Sequence, residues 1–127
     1  MKVLIKPGAT LLFINMDLLY VAETVYDECH NRGIEAVLTS GNDGVHPKSK
    51  YHGEGYGWDF RVNDWPLLAT MYQNIRASLK TCDTRFKLEL ELTPGNEHLH
   101  VHYAYDELIE GSAGDVVPVQ NNLPLEA

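Results

Sequence analysis

The sequence predicts a single α+β domain with two helices packed on one face of a small, mainly antiparallel sheet. Three observations lead there. Two long stretches carry apolar residues at three- and four-residue spacing, the segments after the second alternate strictly, and a length of 127 residues holds one hydrophobic core. Hydrophobic residues make up 44% and charged residues 22% of the chain, a balance that places it among ordered globular proteins rather than disordered ones.

After the Pro7-Gly8 turn, Thr10 is placed to cap a first helix. Leu11, Ile14, Leu18, Val21, Val25 and Cys29 form its core-facing stripe, and Gly33 marks its stop. Glu35 to Ser40 reads as a buried strand, followed by the glycine-rich, polar stretch GNDGVHPKSKYHGEGYG, a loop able to carry a site. Trp58 to Val62 is expected to be a short strand. Asn63 or Asp64 is then the expected cap of a second helix, with Pro66 in its first turn. Its apolar stripe is Leu68, Met71, Ile75, Leu79 and Cys82, with Cys82 read as a small buried hydrophobe.

From Thr84 to Leu92, Phe86, Leu88, Leu90 and Leu92 alternate with Arg85, Lys87, Glu89 and Glu91, the signature of a half-buried strand. The TPGN turn leads into HLHVHYAY, where a period of two sets His98, His100 and His102 on one face and Leu99, Val101 and Tyr103 on the other. Together they read as a hairpin. From about Asp106 the chain turns acidic and then rich in Gly, Pro and Asn, the composition of a loosely packed tail.

Ten Lys and Arg against eighteen Asp and Glu give a net charge of −8, which repels polyphosphates and disfavours a nucleic-acid partner. Cys29 and Cys82 lack CxxC spacing, so a thiolate metal site is not indicated, and one disulfide between them stays open. His30 falls at the end of the first helix, where a cation suits the dipole, and is read as structural. The apolar run near the start is broken by Asn15 and Asp17. It has neither the length of a membrane span nor a cleavage motif, so no membrane association is expected. Synthesis in the cytoplasm is the expectation, with action at a cell wall following release.

The chemistry is concentrated in two segments about forty residues apart, YHGEGYGWDF and GNEHLHVHY. A catalytic zinc commonly takes three protein ligands and leaves one position to water. His52, Asp59 and one of the strand histidines supply such a set. Glu97, three residues before His100, supplies a carboxylate for proton transfer.

At these residues the chain resembles the zinc D,D-carboxypeptidases, D-Ala-D-Ala dipeptidases and L-alanyl-D-glutamate endopeptidases, which share their fold with the Hedgehog signalling domain. His52, Gly55, Gly57 and Asp59 match the first metal motif of that family, and EHLH is similar to its second. The resemblance spans about Ala36 to Tyr103. It implies a Hedgehog/DD-peptidase-like fold, Zn2+ held by His52, Asp59 and His100, and Glu97 as catalytic base. It further implies a compact phage or bacterial peptidase that hydrolyses peptidoglycan stem peptides or related D-amino-acid peptides.

The chain also departs from the family pattern. The family serine stands two residues before the first ligand, where this chain has Lys50, with Ser49 one further back. The arginine that stabilises the oxyanion in many relatives has no counterpart in SGNDG, which leaves His46 or Arg61 as substitutes for it. These departures support an alternative, a non-catalytic zinc-binding interaction module of the same fold. A further alternative takes His100, His102, Glu107 and Gly114 as part of a cupin-type metal motif, although cupins are barrels built mainly from strands.

Overall fold

A computed structural model of the protein describes residues 1–9, 16–41, 51 and 56–107. The elements in chain order are β1 (Val3–Ile5), α1 (Met16–His30), β2 (Ala36–Ser40), β3 (Gly57–Arg61), α2 (Leu68–Cys82), β4 (Phe86–Glu91) and β5 (His98–Tyr103). The five strands form one sheet in the order β1-β2-β3-β5-β4. β1 runs parallel to β2, and the other three pairings are antiparallel. The class is α+β, as expected. No described helix is long and apolar enough to cross a membrane.

Period-two geometry divides the sheet into two chemically different faces. Ala36 and Leu38 of β2, Trp58 and Phe60 of β3, Leu99 and Val101 of β5 and Phe86 of β4 share one core with Leu18, Val21, Val25 and Cys29 of α1 and Met71, Ile75 and Leu79 of α2. Both helices therefore cover the same face. The opposite face receives Asp59, His98, His100 and His102, with Lys87, Glu89 and Glu91 in register beside the histidines.

The local signals explain where most elements stop. Gly33, at φ 73°, ends α1, with Ile34 N–H donating to Cys29 O and Gly33 N–H to His30 O, both at 3.1 Å. That pair of bonds is a Schellman cap, and only glycine takes the left-handed position cheaply. Thr93-Pro94-Gly95-Asn96 closes the β4–β5 hairpin as a turn in which Asn96 N–H donates to Thr93 O at 2.8 Å and Gly95 has φ 83°. Proline before a positive-φ glycine is the type II arrangement. At the far end of α1, the predicted start with Thr10, Leu11 and Ile14 lies outside the described residues.

Several expectations need correction. α2 begins at Leu68 after Leu67, without a side-chain cap, rather than at Asn63 or Asp64, and Pro66 precedes the helix. The reason is Trp65: the chain first closes a turn, with Trp65 N–H donating to Val62 O at 3.0 Å, and buries that ring before helix geometry can start. β4 starts at Phe86 instead of Thr84 because the Asp83 carboxylate accepts the Arg85 N–H at 2.9 Å, holding residues 83–85 in a side-chain turn. Leu92 falls outside the strand and is exposed. Cys82 is exposed rather than buried, whereas Cys29 is fully enclosed, and both are free thiols. A strand at Val3–Ile5 adds to the elements expected from periodicity.

The helices are also tied by polar contacts. Glu28 of α1 accepts from Arg32 at 3.2 Å and from Asn74 of α2 at 2.8 Å. The greater part of the stabilisation comes from burial, with Trp58, Phe60, Leu99 and Val101 all at 0% exposure directly beneath the polar face. Phe60→Ala is expected to cost about 3–5 kcal/mol in urea unfolding, the usual range for a fully buried ring. Thiol labelling of the native protein should consume Cys82 rapidly and spare Cys29, whose thiol burial pushes up to about 12; both should react in denaturant.

Candidate metal centre

The polar face is built by the β3–β5 register, which sets Asp59 directly opposite His100 and Arg61 opposite His98. Asp59 is 8% exposed, and a carboxylate so enclosed needs a partner. It has one across the strand pair: His100 Nδ1–H donates to Asp59 Oδ1 at 3.0 Å. A carboxylate only accepts, so the proton of this bond resides on Nδ1. On the other side, Asp59 Oδ2 stands 3.8 Å from His98 Nε2, which also lies 3.6 Å from Glu91 Oε1. His98 Nδ1–H donates to Asn96 O at 2.9 Å, so its ring is anchored to the hairpin turn.

β2 contributes at this point too. The register slips between Leu38 and Ser40, and Thr39 hydroxyl donates to Asp59 O at 3.3 Å. The irregularity falls beside Asp59, the one buried carboxylate among the described residues, a place where bulges are used to aim a side chain.

His100 continues the network. Its Nε2 lies 2.9 Å from His102 Nδ1. His102 is in turn stacked on Tyr51, with ring centroids 4.6 Å apart and planes at 6°. Tyr51 donates its hydroxyl to Asp106 Oδ1 at 2.9 Å, while Tyr105 meets its edge at 5.8 Å and packs on Tyr56 at 4.5 Å. Tyrosines thus wall one end of the histidine row.

Of the residues singled out from sequence, the structure brings Asp59 and His100 into contact and places His98 and His102 beside them. Arg61 is on the same face next to His98, with its guanidinium 3.7 Å from Asp64. Glu97 is half-buried and immediately precedes β5, its carbonyl accepting from Val62 N–H at 3.4 Å. The pleat of β5 does not carry Glu97 onto the histidine face, because alternation from His98 places odd-numbered positions toward the helices. His46, Ser49 and His52 lie outside the described residues. Glu107 pairs with Lys87 at 3.4 Å, Gly114 is outside the described residues, and the open sheet layered with helices differs from a cupin barrel.

Among the described residues, no group of three or more His, Cys, Asp and Glu side chains is arranged to hold a metal ion. Asp59 and His100 do supply two donors of the right type. Their 3.0 Å separation is close to the roughly 3.3 Å expected between two ligands about 2.0 Å from a tetrahedral zinc. The third ligand expected from sequence, His52, lies outside the described residues.

Two features escaped the sequence reading. Glu91 joins His98 and Asp59, and the period-two patterns of the two strands carried the signal, since they turn Glu89, Glu91 and the histidines to one side. The second feature lies on the helix face, where Tyr103 donates to Asp83 Oδ2 at 2.6 Å and Arg85 Nη2 donates to Tyr103 Oη at 2.6 Å. Arg85 also reaches both Asp83 oxygens, at 3.1 and 2.9 Å. This cluster clamps the end of β5 to the start of β4.

No protein-family model matches the chain, and no match is found among curated proteins or solved structures.

The clamp has a pH signature. Hydrogen bonds from Arg85 hold the Asp83 carboxyl well below the ordinary carboxylate range. Its contribution is therefore complete above the unfolded value of about 3.9 and is lost as pH falls through the folded one. Burial, then the hydrogen bond to Asp83, pushes the Tyr103 phenol up to about 12, so its contribution is complete below about 10 and lost as pH rises towards 12. Ultraviolet titration should show a phenolate forming near 12 that disappears in Tyr103→Phe.

Proposed function

We propose that the chain is a zinc-dependent peptidase of the D,D-carboxypeptidase and L-alanyl-D-glutamate endopeptidase type, with a Hedgehog/DD-peptidase-like fold. Its substrates are peptidoglycan stem peptides or related D-amino-acid peptides. The observation that carries this reading is the cross-strand pair of Asp59 and His100. Both belong to the two sequence motifs, and they meet at 3.0 Å on the sheet face that neither described helix covers.

In this reading His52, Asp59 and His100 hold the ion. When bound, zinc supplies Lewis acidity, polarising a carbonyl and making water acidic enough to ionise near neutral pH. Tyr51, which precedes His52 in the chain, stacks on His102. Glu97, at the entry to β5, would take the proton from the attacking water and deliver it to the leaving amine. Arg61 borders the face and would meet a substrate carboxylate or a developing oxyanion once it exchanges Asp64 for that partner.

One observation favours a second reading, a non-catalytic zinc-binding module of the same fold. The Glu97 side chain makes no hydrogen bond or ion pair with any described residue, and alternation does not direct it to the histidines. Tightly held zinc with no turnover is the signature of that module.

The two readings separate in one experiment. The protein is loaded with zinc, incubated with peptidoglycan fragments of several chemotypes and analysed by mass spectrometry, with Glu97→Gln in parallel. The peptidase is expected to yield new stem-peptide products, with Glu97→Gln slower by roughly 100- to 10,000-fold. Asp59→Asn and His100→Ala should lose zinc by elemental analysis. Zinc retained by a folded protein with no cleavage in any chemotype supports the binding module instead.

A further inference from the structure

The sheet ends in two unlike borders, β1 and β4, and among the described residues no strand covers either one. Such borders carry unpaired backbone groups. Lys6 N–H donates to Leu38 O at 2.9 Å, so the even-numbered residues of β1 turn their backbone groups toward β2, and Val3 and Ile5 turn theirs outward. On the other border, Arg85 O accepts from Ala104 N–H at 2.9 Å, so the odd-numbered residues of β4 serve β5 while Leu88, Leu90 and Leu92 turn outward. The Tyr72 hydroxyl donates to Leu88 O at 3.4 Å, which leaves Leu90 and Leu92 as the open stretch.

The side chains of the two borders are complementary on both faces of the sheet. On the helix face, Val3 packs against the core as Leu88 and Leu90 do, while Ile5 and Leu92 are 53% and 54% exposed. On the polar face, β1 is flanked by exposed Lys2 and Lys6, and β4 carries Glu89 and Glu91. Direction agrees as well. β1 is parallel to β2, and three antiparallel pairings follow before the far border, so β4 runs opposite to β1. A second copy in the same orientation therefore meets β4 with an antiparallel β1 and keeps its helices on the same side.

We propose that β1 of one copy adds to β4 of the next, with Ile5 opposite Leu90 and Val3 opposite Leu92. Outward-turned residues then form the hydrogen-bonded pairs, and the exposed Ile5 and Leu92 side chains are both covered. Lys6 falls opposite Glu89 in a non-hydrogen-bonded pair, where facing side chains lie closest. A shift of two residues, to Ile5 opposite Leu88, would set Lys6 against Lys87 and call on the carbonyl that Tyr72 occupies. Like borders fit less well. β1 on β1 in full overlap sets Lys2 against Lys6 twice, and β4 on β4 in the register that joins Lys87 to Glu91 sets Glu89 against its own copy. Contact between unlike borders is head-to-tail, so it leaves one free border of each kind and can propagate. The polar faces of successive copies then lie along one side of the assembly. This contact needs no metal and is independent of the zinc reading.

The test is sedimentation of the full chain over a concentration series at low and high salt. Expected is a mass that rises past two copies with concentration and falls back as salt screens the Lys6–Glu89 pair. Lys6→Glu and Glu89→Lys, both at exposed positions, should each remain monomeric. An equimolar mixture of these two variants should associate again, and so should the double variant, because opposite charges face each other once more. Circular dichroism confirms that each variant is folded. A wild type that is monomeric throughout the series overturns the proposal. Association that survives Lys6→Glu also overturns it, being the mark of a symmetric β4–β4 dimer or of another surface, as does failure of both the mixture and the double variant to associate.

Discussion

The antiparallel register of β3 against β5 is the constraint on which the polar face depends. Because residues alternate sides, one setting of this register puts Asp59 against His100 above the sheet and Trp58 against Val101 below it. A slip of β5 by one residue would bury its histidines under the helices and expose Leu99 and Val101. The energetic penalty for misplacing Asp59 and His100 is therefore imposed by the core. Phe60, Leu99 and Val101 hold the register because no other setting keeps them out of water.

Within that frame, the buried charge is managed locally. Asp59 is withdrawn from solvent, and its two oxygens face different histidines, one in hydrogen-bond contact and one farther off. The slip in β2 and the Thr39 hydroxyl support the backbone at the same residue. A carboxylate in such a setting is stabilised by cationic or donor neighbours, and a divalent ion is the strongest neighbour it could acquire. At the end of β5, Tyr103, Asp83 and Arg85 do the corresponding work on the helix face, so the strand that carries three histidines is held at one end by the turn and at the other by this cluster.

The residues explain which features were legible in advance. The hairpin and the sides taken by His98, His100 and His102 followed from strict alternation, a signal that survives because one face of each strand is buried. The stop of α1 at Gly33 was legible because a left-handed cap restricts the residue type. The start of α2 was not, since Trp65 had to be buried first and burial is a tertiary demand that overrides the capping preference of Asn63 and Asp64. Cys82 read as core because its spacing continues the stripe, yet it is the last residue of α2 and is exposed. Asp59 and His100 were legible as types and spacing, but their contact needed the register. Glu91 and the Tyr51 stack needed it as well.

The strand order has a further meaning for durability. β1 and β4 are the borders of the sheet, and both are built to be expendable: one has three residues, and the other exposes Lys87, Glu89 and Glu91 on its polar side. Fraying starts at borders, where each strand has a partner on one side only. β3 and β5 are both interior, so the strands that hold Asp59 and His100 can outlast transient opening at either margin, and the charged rim restricts which strand a neighbouring molecule can add there. The donor pair is thus set back from both borders of its own sheet.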